Sequence, residues 1–136
     1  MISEKELCKY DFKDVNPKKI ELLKLFLPKI NTIRNLYNKP MLITSGIRTI
    51  KDHLRIYKEK GISEDKVPMG SAHLENNEKG FACDVSDPKQ ELQKWCLANI
   101  KVLEEQGLYC EDFSATPNWV HFQDYPPKSG KRFFKP

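Results

Sequence analysis

The chain has 136 residues, a single-domain length that can bury about two-thirds of the surface its unfolded form exposes. With 39% hydrophobic and 31% charged residues it has the balance of a folded globular chain, and its net charge of +4 falls short of the basic stripe of a nucleic-acid binder. No apolar run approaches the roughly 18 residues of a membrane span. The opening MISEKELCKYDFKD mixes both charge signs from Glu4 onward without an apolar core, so no signal peptide is expected and the chain is assigned to the cytoplasm of the producing cell. Cys8, Cys83, Cys96 and Cys110 form no CxxC pair and read as free thiols.

In chain order, Asn16-Pro17 reads as a helix start, with Asn as cap and Pro at the first helical position. Ile20, Leu22, Leu23, Leu25 and Phe26, then Ile30, Ile33, Leu36 and Tyr37, continue an apolar face, which Pro28 should break or kink. Residues 40–45 read as a short buried strand, and 50–60 as a surface helix carrying His53 and closed by Gly61. Phe81–Val85 reads as a second strand. Residues 88–106 form the clearest helix, capped by Asp87 and ended by Gly107. Leu108–Phe113 and Trp119–Phe122 read as two strands joined by a turn. The basic tail PPKSGKRFFKP is a solvated strand and tail or helps hold an anionic partner. The whole, residues 1–136, is expected to be one α+β domain, with helices packed on a small, mainly antiparallel sheet.

His73 follows Gly70-Ser71-Ala72 in a loop, Asp84 lies on the next strand and His121 on the last well-formed one. Two imidazoles and one carboxylate make a three-ligand catalytic zinc site that leaves the fourth position to water. Such a trio also arises by chance, so the residues around it carry weight. The strings Ser45-Gly46-Ile47-Arg48, Ser71-Ala72-His73, Gly80-Phe81-Ala82-Cys83-Asp84 and Trp119-Val120-His121 resemble the zinc D-Ala-D-Ala carboxypeptidase superfamily. That group includes D-Ala-D-Ala dipeptidases, the L-alanyl-D-glutamate endolysins of phages and the zinc fold of hedgehog domains; its motif reads SxHxxGxAxD, followed by a WxH-type strand. The resemblance spans roughly residues 38–136 and is strongest to a phage-encoded branch.

The resemblance implies that His73, Asp84 and His121 bind Zn2+, that Arg48 grips a substrate carboxylate with its bidentate fork, and that Ser71 hydrogen-bonds near the substrate. It implies a zinc metallopeptidase of peptidoglycan stem peptides, cutting D-Ala-D-Ala or L-Ala-D-Glu bonds, as an endolysin or a virion-associated enzyme, with no nucleic-acid or membrane partner. The alternative is a catalytically silent zinc-binding or structural virion domain on the same fold. Trp119 either walls the cleft or packs in the core.

Two features depart from the family. His73 and Asp84 stand eleven positions apart rather than seven, with the excess in Leu74–Lys79, a polar loop expected to be exposed. Asn118 occupies the place, three residues before the last histidine, where many members carry the acidic base. A replacement follows from geometry. A hairpin turning about Thr116 sets Glu111 directly opposite His121 and on the same face. A one-residue slip would put Asp112 there instead.

Overall fold

In the computed structural model, which describes residues 1–136, Asn16 and Pro17 open the longest helix. A short α1 (Glu4–Leu7) with a Ser3/Glu6 capping box precedes α2 (Pro17–Tyr37), whose cap is the Asn16 side chain accepting from the Lys18 amide at 3.1 Å. Ile20, Leu23, Phe26, Ile30 and Ile33 are buried along one face of α2. Fully burying one such side chain contributes about 1.5–3 kcal/mol. Of the two expected outcomes at Pro28, a break does not occur: α2 runs through it. It lies on the exposed side, where water can serve the carbonyl its missing N–H leaves free, while Phe26 and Ile30 hold the flanking turns in the core.

The sheet has the order β1-β2-β4-β3-β5, from Ile43–Ser45, Ala82–Ser86, Trp119–Gln123, Tyr109–Glu111 and Phe133–Phe134. Its pairings are antiparallel except for β3 with β5, which run parallel. The expected α+β class and mainly antiparallel sheet are therefore present. β1 is an irregular edge strand with a half-exposed pattern rather than a buried one; β2 covers a single side of it, and Leu42 just before it is 67% exposed. The expected helix over 88–106 divides into α4 (Glu91–Ala98) and α5 (Ile100–Gln106), because the Asn99 side chain takes the Trp95 carbonyl at 2.8 Å and competes with the helix backbone. Asp87 still caps, accepting from the Leu92 and Gln93 amides at 3.0 and 2.9 Å. Gly107 ends α5 at φ +68°, a left-handed cap that glycine adopts without strain.

Strand alternation sorts the side chains. Cys83, Val85, Cys110, Val120 and Phe122 belong to the buried cluster with α2, where Phe81 meets Phe26 at a ring-centroid distance of 5.0 Å. Asp84, Glu111 and His121 take the opposite parity. All four cysteines are buried free thiols, and burial pushes Cys83 and Cys110 well above the ordinary thiol range. No helix is long and apolar enough to cross a membrane.

Candidate metal centre

The β2–β4 register sets Asp84 directly opposite His121. In the β3–β4 pair, Tyr109 faces Gln123 and Cys110 faces Phe122, so the next rung brings Glu111 to His121. Glu111 Oε1 lies 3.8 Å from His121 Nδ1. This is the register expected from a turn about Thr116, a side chain that is fully buried. Asp112 is not brought to the centre: its carboxylate accepts from the amide and hydroxyl of Ser114 at 2.9 and 2.6 Å, which fix it in the turn.

His73 arrives from the loop between α3 (Ile50–Glu59) and β2, and the Ser45–Arg48 string positions it. The Arg48 amide donates to the His73 carbonyl at 2.8 Å, and the Glu75 amide to the Arg48 carbonyl at 3.0 Å. The Gly46 carbonyl accepts from His73 Nδ1 at 3.0 Å. A Cβ on Gly46 would sit 2.0 Å from the Leu7 carbonyl oxygen, so only glycine lets this segment pass α1 and reach the histidine. Ser71 Oγ accepts from the His73 amide at 3.2 Å.

The residues between His73 and Asp84 are more closely held than the expected exposed loop. Leu74 is fully buried, and Lys19 of α2, also fully buried, donates to the carbonyls of Ala72, Asn77 and Gly80 at 3.1, 2.8 and 2.7 Å. Burial lowers the Lys19 pKa to about 8, against the pull of Asp124 and Glu78. The Glu75 carboxylate accepts from the amides of Asn16 and Ile50 at 2.9 and 2.7 Å, joining the starts of α2 and α3. Only Asn76, Glu78 and Lys79 of this stretch are exposed. A buried polar backbone needs internal partners, and here α2 supplies them.

His73, Asp84 and His121 form a group that could hold a metal ion, with one ligand atom from each and all three within 4.8 Å of one another. His73 Nε2 lies 3.3 Å from Asp84 Oδ2 and His121 Nδ1 2.9 Å from Asp84 Oδ1. The outer partners set the tautomers. His73 gives its Nδ1 proton to Gly46, and His121 gives its Nε2 proton to Gln123 Oε1 at 2.8 Å, while Gln123 Nε2 donates to the Tyr125 carbonyl. Two imidazole lone pairs thus face one carboxylate, an arrangement that calls for a cation or a proton between them. Burial opposes charge on both Asp84 and His121. The histidine hydrogen bonds nevertheless hold the Asp84 carboxyl well below the usual range, and Asp84 and Glu111 raise His121 above its own.

The centre opens into a cleft of about 630 Å³ whose walls include Ser71, His73, Glu111, His121 and Tyr125. Arg48 does not line it. Its guanidinium lies 3.3 Å from His53 Nδ1 and borders a separate cavity of about 350 Å³ between α1, β1 and α3. His53 is not the expected surface residue: it is 2% exposed and its Nε2 donates to the Pro68 carbonyl at 2.7 Å. Trp119 and Asn118 also lie outside the cleft; the Asn118 carbonyl accepts from the Asp87 amide at 2.8 Å. Sequence reading missed Lys19, Gly46 and Gln123 as supports. Gln123 shares a strand face with His121 two residues away and Gly46 stands in the Ser45–Arg48 string, whereas Lys19 carries no such signal. Comparison with known protein families, curated proteins and solved structures returns no match for this chain.

Proposed function

We propose that the chain is a zinc-dependent peptidase of bacterial cell-wall stem peptides, phage-encoded and acting as an endolysin or within a virion. The observation that carries this reading is the convergence of His73, Asp84 and His121, with Glu111 3.8 Å from His121 and with His73, His121 and Glu111 lining an open cleft. The donor set fits zinc, since each imidazole has its second nitrogen committed to an outer acceptor and its first free beside a carboxylate. When bound, zinc would bring the pKa of a coordinated water toward neutrality and polarise a carbonyl.

The chain's own groups supply the rest. Glu111 stands on the strand beside His121, half-buried and with no hydrogen-bond partner of its own, so its carboxylate is free to take a proton from water and return it to a leaving amine. This answers the absence of an acid at Asn118. Ser71 lines the cleft beside His73 and can hydrogen-bond a substrate amide. The choice of wall peptides rests on the resemblance of the SGIR, SAH, GFACD and WVH strings.

The test is release of new amino groups from defined muropeptides. Glu111→Gln should retain zinc and lose turnover by a factor of about 10²–10⁴. Full activity in that variant would remove Glu111 as the base. No activity in the zinc-loaded wild type would leave the silent domain, which Asn118 favours.

A further inference from the structure

The cleft onto which His73 and His121 open is lined by three lysines, Lys79, Lys128 and Lys135, and by one acidic side chain, Glu111. None of the three lysines has a carboxylate within 4.0 Å, whereas Lys29 nearby is paired with Asp124 at 3.6 Å. They come from two sides of the chain. Lys79 ends the stretch inserted between His73 and Asp84. Lys128 follows β4, and Lys135 follows β5.

The backbone beside Lys79 and Lys135 is held, while Lys128 stands in an exposed turn. The Lys79 amide donates to Asn77 Oδ1 at 3.0 Å, Asn77 Nδ2 donates to the Tyr125 hydroxyl at 3.2 Å, and Lys19 grips the Asn77 carbonyl. On the other side β5 pairs in parallel with β3, Phe134 beside Glu111, and Phe134 is buried. Exposed ammonium groups around a concave cleft with a single acidic side chain raise the positive potential where a substrate would lie. Arg48 cannot serve from its place beside His53 in the other cavity.

We propose that Lys79, Lys128 and Lys135 form the carboxylate grip of this cleft and select short peptides bearing at least two free carboxylates. The inference rests on the peptidase reading for its substrate. It transfers the anion-binding role from Arg48 to the inserted loop and the basic tail. Ammonium groups on long stems suit carboxylates at several positions along a peptide better than a single rigid fork does.

The experiment measures binding of a free-carboxylate stem peptide and of its carboxamide form to the zinc-loaded full chain by calorimetry, alongside hydrolysis. A cleft variant, Lys79→Gln with Lys128→Gln and Lys135→Gln, is compared with a control that removes equal charge elsewhere, Lys24→Gln with Lys58→Gln and Lys94→Gln. The cleft variant should weaken binding of the free peptide about tenfold and flatten its salt dependence, with the control within about twofold of wild type. The carboxamide peptide should bind wild type about as weakly as the free peptide binds the cleft variant. Equal effects of the two triple variants, indifference to amidation, or no binding of the free peptide to wild type would each overturn the grip. Hydrolysis with an unchanged KM in the cleft variant would sink the grip and leave the peptidase. Charge-selective binding without hydrolysis would do the reverse.

Discussion

Asp84 and His121 face each other across one rung of an antiparallel ladder, whereas His73 reaches them on a loop held by Gly46 and Lys19, 27 positions from His73 and 53 from Ala72 respectively. The strand-borne pair needs only register and alternation to meet. The loop-borne ligand needs a glycine where an added Cβ would sit 2.0 Å from the Leu7 carbonyl oxygen, a backbone bridge to Arg48 and a buried ammonium on three carbonyls. A sheet positions side chains through a repeating lattice, while a loop is positioned by individual polar contacts, each of which can be removed singly.

Removing a strand ligand should have the largest effect. Asp84→Ala should weaken zinc binding by more than the roughly 100-fold that loss of an outer partner can give, with the fold retained by circular dichroism. Retained affinity would show that the rung does not hold metal. Lys19→Met tests the loop. It leaves three carbonyls without their donor and should cost about 3 kcal/mol in denaturant unfolding, together with weaker zinc binding through His73. A loss of stability with unchanged zinc affinity would show that the loop keeps His73 in place without Lys19. Gln123→Leu frees the second nitrogen of His121, so zinc affinity should fall about tenfold with little change in stability.

Acidity separates the metal-free and metal-bound states. His121 titrates above its ordinary 6.5, so its contribution to the metal-free fold is complete below that pH and lost as pH rises through the raised value. Asp84 titrates well below its ordinary 3.8, so its contribution is present above that and lost as pH falls through the lowered value. Metal-free protein should therefore be most stable between these limits by thermal melting. Zinc affinity should rise with pH through the range where His121 releases its proton. The smallest effect is expected at Asp112, held by Ser114 in the turn: Asp112→Asn should leave muropeptide turnover within about twofold.

The same contrast governs how much could be read from the chain. Alternation along β2 and β4, and a turn centred on Thr116, were enough to bring Asp84, Glu111 and His121 to one face, because strand geometry is local and periodic. The long helix is legible from its cap and apolar spacing, whereas its continuity through Pro28 depends on which side packs in the core, which the local sequence does not fix. Lys19 gave no signal. A lysine on a helix reads as solvated, and its burial here depends on a loop 53 to 61 positions away. Arg48 was misplaced for a similar reason: its backbone serves His73, as the string suggests, but the buried His53 draws its side chain to another cavity.

The most direct measurement is zinc per chain in the purified protein beside His121→Ala. About one zinc, lost in the variant, is the result expected if loop and sheet close one centre. No zinc after reconstitution, or equal zinc in the variant, would contradict it.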